Sequence, residues 1–141
     1  MKKLFLLMTF TAMVSFLFAQ SKDEKEIVSS MNMQENAWNM GNLELFMSTY
    51  YKNDSLMFIG KKGITRGWQN TLDNYKKGYP DTAAMGKLHF QLLEIKKLSS
   101  TYYYVVGKWH LTRTAGDLEG HFTLLFEKIN KKWVIIRDHS S

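Results

Sequence analysis

Residues 87–141 read KLHFQLLEIKKLSSTYYYVVGKWHLTRTAGDLEGHFTLLFEKINKKWVIIRDHSS, and this C-terminal stretch decides the fold. Turn-forming residues at 99–101, 115–117 and 130–132 separate segments that are rich in β-branched and aromatic side chains. The pattern predicts four strands, at about residues 87–98, 102–114, 118–129 and 133–139. Because short turns connect these strands, neighbouring strands are expected to pair antiparallel.

Helical signals precede the strands. Residues 21–24 have the form of a capping box, and apolar side chains then recur at helical spacing as far as Trp38. Asn42 is suited to cap a second, shorter helix. The pattern further predicts a small hairpin over residues 55–66, a third helix over 68–79 and a loop over 81–86. This order predicts an α+β fold, with three helices on one face of a curved, mainly antiparallel sheet.

The final strand is apolar on both of its predicted faces. Trp133 and Ile135 fall on one side, and Val134 and Ile136 fall on the other. A sheet that is apolar on both faces needs a second cover, and a homodimer formed through the outer face of the sheet would supply it. Since three helices cannot cover the inner face completely, we also expect a cone with a cavity inside.

Composition limits the class of protein. Of the 141 residues, 45% are hydrophobic and 23% are charged, which is typical of one globular domain. The absence of cysteine excludes disulfides, thiolate metal sites and cysteine nucleophiles. The surplus of positive charge comes mostly from lysine pairs, without a basic helix face or an arginine cluster, so we expect no nucleic-acid partner.

The N-terminus has the features of a secretory signal peptide. Lys2 and Lys3 precede an apolar run over residues 4–18, and Ala19 stands at the boundary with a polar stretch. The run is shorter than the roughly 20 residues that a transmembrane helix needs. Residues 1–19 are therefore predicted to be removed, leaving a single domain over residues 20–141 that is periplasmic or secreted and makes no membrane contact.

Four stretches resemble the nuclear-transport-factor-2-like (NTF2-like) superfamily, which also holds SnoaL-like polyketide cyclases and ketosteroid isomerase. They are AWNMGNLE (37–44), DSLMFIG (54–60), GKWHLTR (107–113) and WVIIRDHSS (133–141). Within the superfamily, they resemble the domain-of-unknown-function 4440 group and the association domain of calcium/calmodulin-dependent kinase. The resemblance covers essentially all of residues 20–141 and implies the cone-shaped fold. It does not select a function, because the superfamily holds enzymes, binding modules and assembly domains.

Asp138 and His139 are the sharpest candidates for catalysis. Adjacent side chains of a strand point to opposite faces, so one of the two is expected to face the cavity. The association-domain resemblance implies that His139 does so, where its imidazole could act as a general base or as a ligand donor. The alternative is that His139 only anchors the last strand. Asp54 is the other carboxylate that an enzyme of this kind could use.

Candidate ligand-binding residues are aromatic or basic. Along one strand, the apolar pattern favours Trp109 inside, whereas the resemblance implies His110 inside, and the sequence leaves both open. An inward Arg113 would bind an anion, although its place near a strand end also lets it reach solvent. The full set of candidates is Trp38, Trp68, Trp109, His110, Arg113, Phe122 and His139.

These features predict an exported, dimeric domain that binds an unidentified small molecule in its cone. The first alternative is a SnoaL-like hydrolase, dehydratase or isomerase that uses His139 with Asp138 or Asp54. An isomerase is poorly supported, because the position of the ketosteroid isomerase base falls at about Phe58 and Ile59, which transfer no proton. The second alternative is a structural assembly domain. The four histidines lack metal-site spacing, so neither a metal nor another cofactor is expected.

Overall fold

The computed structural model of the protein describes residues 20–141, and the signal peptide predicted for residues 1–19 lies outside them. Over these residues the helices are α1 (Lys22–Asn39), α2 (Leu43–Met47), α3 (Trp68–Gly78) and α4 (Thr82–Met85). The strands are β1 (Met57–Gly60), β2 (Gly63–Arg66), β3 (Lys87–Lys97), β4 (Tyr102–Thr112), β5 (Leu118–Ile129) and β6 (Lys132–Ser140). The α+β class predicted from the sequence is confirmed.

Local signals define where the first two helices begin. The Ser21 hydroxyl accepts from the backbone N–H of Glu24 at 3.1 Å, and the Glu24 carboxylate accepts from the backbone N–H of Ser21 at 3.2 Å. This is the predicted capping box, which satisfies two N–H groups that a helix start otherwise leaves unpaired. Asn42 caps α2 with a single bond, its side-chain oxygen accepting from Leu45 N at 2.9 Å.

The prediction of a loop over residues 81–86 is wrong. Asp81 caps a single helical turn there, its carboxylate accepting from Ala84 N at 2.8 Å, and Gly86 ends the turn at φ +61°. Residues 20–141 therefore contain four helices rather than three. A single turn of this length is too short to give the apolar periodicity on which helix prediction depends.

The six strands that the structure describes form one sheet in the order β2-β1-β6-β5-β4-β3. All neighbouring pairs are antiparallel except β1 and β6, which are parallel. Helix α1 covers the β3 edge, where the Glu35 carboxylate accepts from Phe90 N at 2.7 Å and the Asn39 amide bonds both backbone groups of Leu88. These bonds occupy edge groups that would otherwise be open to another strand.

The hydrophobic core lies between the helices and the inner face of the sheet. Most of its deeply buried side chains come from α1, α2 and the long strands; they include Ile27, Met31, Met47, Tyr103, Val105, Leu111, Phe126 and Ile135. No helix within residues 20–141 is long and apolar enough to cross a membrane.

A β-bulge in β6 sets which side chains enter the core. The register opposite β5 changes between Leu125, which pairs with Arg137, and Phe126, which pairs with Ile135. Ile136 is therefore the extra residue, and such a bulge reverses the facing of every side chain beyond it. Asp138 consequently faces inward.

Candidate functional site

A cavity of about 920 Å³ lies between the helices and the inner face of the sheet. Helices α1–α3 contribute Met31, Trp38 and Phe46 among others, and the sheet contributes Phe90, Trp109, Leu111, Phe122 and Leu124. Its outer part is bordered by exposed residues of the β1–β2 turn, the end of α3 and the start of β5. A largely apolar cavity of this size with few polar groups is typical of small-molecule sites.

Asp138 is the carboxylate inside the cavity wall. Only 4% of the residue is exposed, and both carboxylate oxygens accept hydrogen bonds, from the Tyr50 hydroxyl at 2.6 Å and the Ser140 hydroxyl at 2.7 Å. Burial raises the pKa of Asp138 from 3.8 to about 6, because removal from water disfavours the charged form; the two hydrogen bonds and His139 offset part of this. The side chain is therefore able to exchange a proton near neutral pH.

Two tyrosines accompany Asp138. Burial raises the pKa of Tyr50 and of Tyr75 well above the ordinary value, and the negative charge of Asp138 raises both further. Each hydroxyl therefore keeps its proton and remains a hydrogen-bond donor. The Tyr75 ring packs edge-on against Phe46 and Phe58, with centroid distances of 5.2 and 5.7 Å, which holds the ring against the cavity.

Two further donors of the cavity wall have no hydrogen-bond partner among the described residues: Gln34 Nε2 and Trp109 Nε1. Gln34 is 1% exposed and lies on the same face of α1 as Met31 and Trp38. A buried donor without a partner costs about 1–3 kcal/mol, so a ligand oxygen that accepts from either donor would recover that cost.

The prediction that His139 faces the cavity is wrong. The His139 side chain is exposed and does not line the cavity, whereas Asp138 does. Asp138 and His139 do point to opposite faces of the sheet, as expected, but the bulge at Ile136 exchanges which of the two faces inward. Without the bulge, alternation from the buried Ile135 would have placed His139 inside and Asp138 outside.

The structure selects Trp109 over His110 for the inside of the cone. Trp109 lines the cavity, while His110 lies on the outer face, where its Nε2 is 2.9 Å from the Asp117 carboxylate. The apolar alternation of β4 therefore gave the correct facing, and the expectation from the association-domain resemblance is wrong at this position. Trp38 and Phe122 line the cavity as predicted.

The other three candidates lie outside the cavity lining. Trp68 donates its indole N–H to the Met47 carbonyl at 2.7 Å and thereby ties α3 to α2. Arg113 donates to the carbonyls of Gly116 at 2.9 Å and Ala84 at 3.3 Å, so it braces the β4–β5 turn instead of clamping an anion. Asp54 is exposed. Its position in the loop before β1 keeps it apart from the cavity wall.

Solved structures identify the family. An NTF-2 like protein of unknown function from Shewanella oneidensis MR-1 is 46% identical, with a TM-score of 0.80; the match covers 83% of this chain and 97% of that one. The chain belongs to the NTF2-like family. No protein-family model matches it, and no curated protein sequence does so.

More distant NTF2-like structures share the fold alone. A ketosteroid isomerase-like protein from Erwinia carotovora atroseptica SCRI1043 is 15% identical with a TM-score of 0.67, the match covering 85% of this chain and 95% of that one. A protein from Xanthomonas campestris proposed to be a calcium/calmodulin dependent protein kinase II association domain is 16% identical with a TM-score of 0.66, covering 86% and 88%. Both agree with the resemblance stated from the sequence.

Sequence reasoning about this NTF2-like domain missed Gln34, Tyr50 and Tyr75 as site residues. Gln34 gave a signal, since it is a polar residue at a core position of the α1 periodicity. Tyr50 and Tyr75 fall on inward faces of the sequence pattern, but nothing in the sequence distinguishes them from ordinary core aromatic residues. Phe58, where the resemblance places the isomerase base, lines the cavity with an apolar ring.

Within residues 20–141, no group of three or more His, Asp or Glu side chains is arranged to hold a metal ion. The buried polar groups of the cavity wall include a carboxyl group that titrates near neutrality, two protonated phenols and two unpartnered N–H donors. Such groups can bind a ligand oxygen or exchange a proton with it.

Proposed function

We propose that this NTF2-like protein is an exported, dimeric small-molecule-binding domain whose ligand occupies the cavity of the cone. The observation that carries the proposal is the cavity itself, about 920 Å³ of largely apolar space with a few buried polar groups. A packed cone would instead have favoured the assembly domain. Export is supported by the sequence of residues 1–19.

Binding can be tested with N-phenyl-1-naphthylamine, an uncharged apolar fluorophore whose emission rises in apolar surroundings. We expect saturable binding, accompanied by quenching of tryptophan emission, since Trp38 and Trp109 line the cavity. Leu124→Trp adds an indole to the cavity wall beside Asp138 and should weaken binding, because it takes up part of the cavity volume. Leu93→Trp, at an exposed position of β3, is the matched control and should bind normally. Equal binding by the two variants would contradict the proposal.

Dimerisation is supported by the outer face of the sheet. Five half-buried apolar side chains lie together there: Tyr104, Val106, Leu125, Val134 and Ile136. A contiguous apolar surface on a sheet is typical of a protein–protein interface. Sedimentation should give a dimer for the unchanged protein and a monomer for Val106→Glu. Thr112→Glu, on the same strand but at its exposed end, should remain dimeric, and a monomeric unchanged protein would refute the dimer.

An acid–base enzyme is the second candidate function, now with Asp138 in place of His139. The observation that favours it is the raised pKa of a buried carboxyl group that contacts the cavity. A carboxylate in such surroundings is a stronger base than in water and can remove a proton next to a carbonyl group. No step is assigned to His139, since its side chain is exposed on the outside of the cone.

Deuterium exchange separates the two candidate functions. If Asp138 acts as a base, the protein should accelerate incorporation of deuterium from D₂O next to the carbonyl of 2-tetralone, and Asp138→Asn should not. Both proteins should still bind N-phenyl-1-naphthylamine, because the amide fills the same volume. If the unchanged protein binds the fluorophore but does not accelerate deuterium incorporation, the binding function stands and Asp138 does not act as a base.

A further inference from the structure

Three lysines border the cavity on one side. Lys61 and Lys62 lie in the turn between β1 and β2, and Lys77 lies in the last turn of α3. The hairpin and the helix are joined by the Asn74 side chain, which donates to the Thr65 hydroxyl at 3.0 Å. This contact keeps the backbone segments that carry the three lysines on the same side of the opening.

The three lysines are exposed, and none forms an ion pair within residues 20–141. The adjacent Lys76, by contrast, pairs with Glu44. Glu119 is the acidic side chain among the exposed lining residues, and Asp138 is the buried one, so the lining side chains together carry 3 − 2 = +1 charge above about pH 6, with the three positive charges at the rim. Clustered charges of one sign at the rim of a low-dielectric cleft attract ligands of the opposite sign.

Deeper in, the wall is apolar and aromatic. Gln34, whose residue lines this inner part, carries a buried Nε2 donor without a partner among the described residues. The inner wall therefore suits the apolar body of a ligand, while the lysines lie at the rim.

We propose that the cavity takes an amphipathic organic anion, with its apolar body among the aromatic side chains and its carboxylate or equivalent group at Lys61, Lys62 and Lys77. The inference rests on the proposed binding function and adds the chemical class of the ligand. The lysines are solvated, so each contributes modestly to affinity, and their joint effect on an anion is expected to be about tenfold at low salt. This contribution weakens as salt screens the charges.

The test uses decanoate, decanol and decylammonium, which share a chain length and differ in charge, as competitors of bound N-phenyl-1-naphthylamine. For the unchanged protein we expect the affinity to decrease in the order decanoate, decanol, decylammonium. Only the affinity for decanoate should fall when the salt concentration is raised from about 20 to about 500 mM. Replacing the three lysines by glutamine should weaken decanoate about tenfold and leave decanol unchanged. The matched control replaces Lys25, Lys96 and Lys131, which are exposed and do not line the cavity, and should have no such effect.

The outcomes distinguish this inference from the function on which it rests. If decanoate and decanol bind with equal affinity, or if the control variant loses as much affinity for decanoate, the inference of an anionic ligand is wrong, although uncharged ligands still bind. Failure of both the fluorophore and decanol to bind overturns the binding function and the inference together. A tenfold loss confined to decanoate and to the variant of Lys61, Lys62 and Lys77 supports both.

Discussion

Replacing Asp138 by asparagine should change how the stability of the protein depends on pH. The raised folded-state pKa means that the folded protein holds the Asp138 proton between about pH 4 and pH 6, where the unfolded chain has lost it. The free energy of unfolding therefore falls as pH rises through this window. Above the window, the buried ionised carboxylate lowers the free energy of unfolding by its full amount. The rise of the pKa from 3.8 to about 6 corresponds to a loss of about 3 kcal/mol in the free energy of unfolding.

Asparagine has the same shape and no charge, so Asp138→Asn removes this cost. The variant should be more stable than the unchanged protein above pH 6, by up to about 3 kcal/mol, with the difference vanishing near pH 4. The amide oxygen can accept from only one of the two hydroxyls, from Tyr50 or Ser140, and the lost charge-assisted bond reduces the gain.

Urea unfolding between pH 4 and pH 8 measures this difference. Other carboxyl groups act in the opposite direction, since hydrogen bonds from Lys128 to Asp23 and from the backbone of Arg113 to Asp117 lower the pKa of each. Both effects are common to the two proteins and cancel in the comparison. Parallel pH profiles for the unchanged protein and Asp138→Asn would refute the reasoning.

Three further predictions concern packing, the exposed histidine and the N-terminus. Gly107→Ala should destabilise the fold by about 1–3 kcal/mol, because the added methyl group would clash with the Phe122 ring. Gly78→Ala, where the methyl group enters open space, should be neutral or slightly stabilising. Thermal unfolding of the two variants measures the difference. His139→Ala should leave the affinity for N-phenyl-1-naphthylamine unchanged, and a loss in a fluorescence titration would return His139 to the site. N-terminal sequencing of exported protein should begin at about Gln20, and recovery of Met1 would contradict cleavage.

The fold was predictable because its signals are local. Turn residues separate the four long strands, and the Ser21–Glu24 capping box begins α1 where it was expected. The alternation along β4 also placed Trp109 inside correctly. Each of these signals depends on residues that are near one another in the chain, so composition and spacing are sufficient to detect them.

The sequence by itself thus determined the α+β class, the order of the main elements and the aromatic character of the interior. Only the tertiary structure decided that Asp138, and not His139, contacts the cavity, because one extra residue at Ile136 reverses the facing of the strand beyond it. The hydrogen bonding and the pKa of Asp138 also depend on the tertiary structure. Its hydrogen-bond donor Tyr50 lies 88 residues away in the chain, and its pKa depends on burial by atoms from both helices and sheet, which no local pattern specifies.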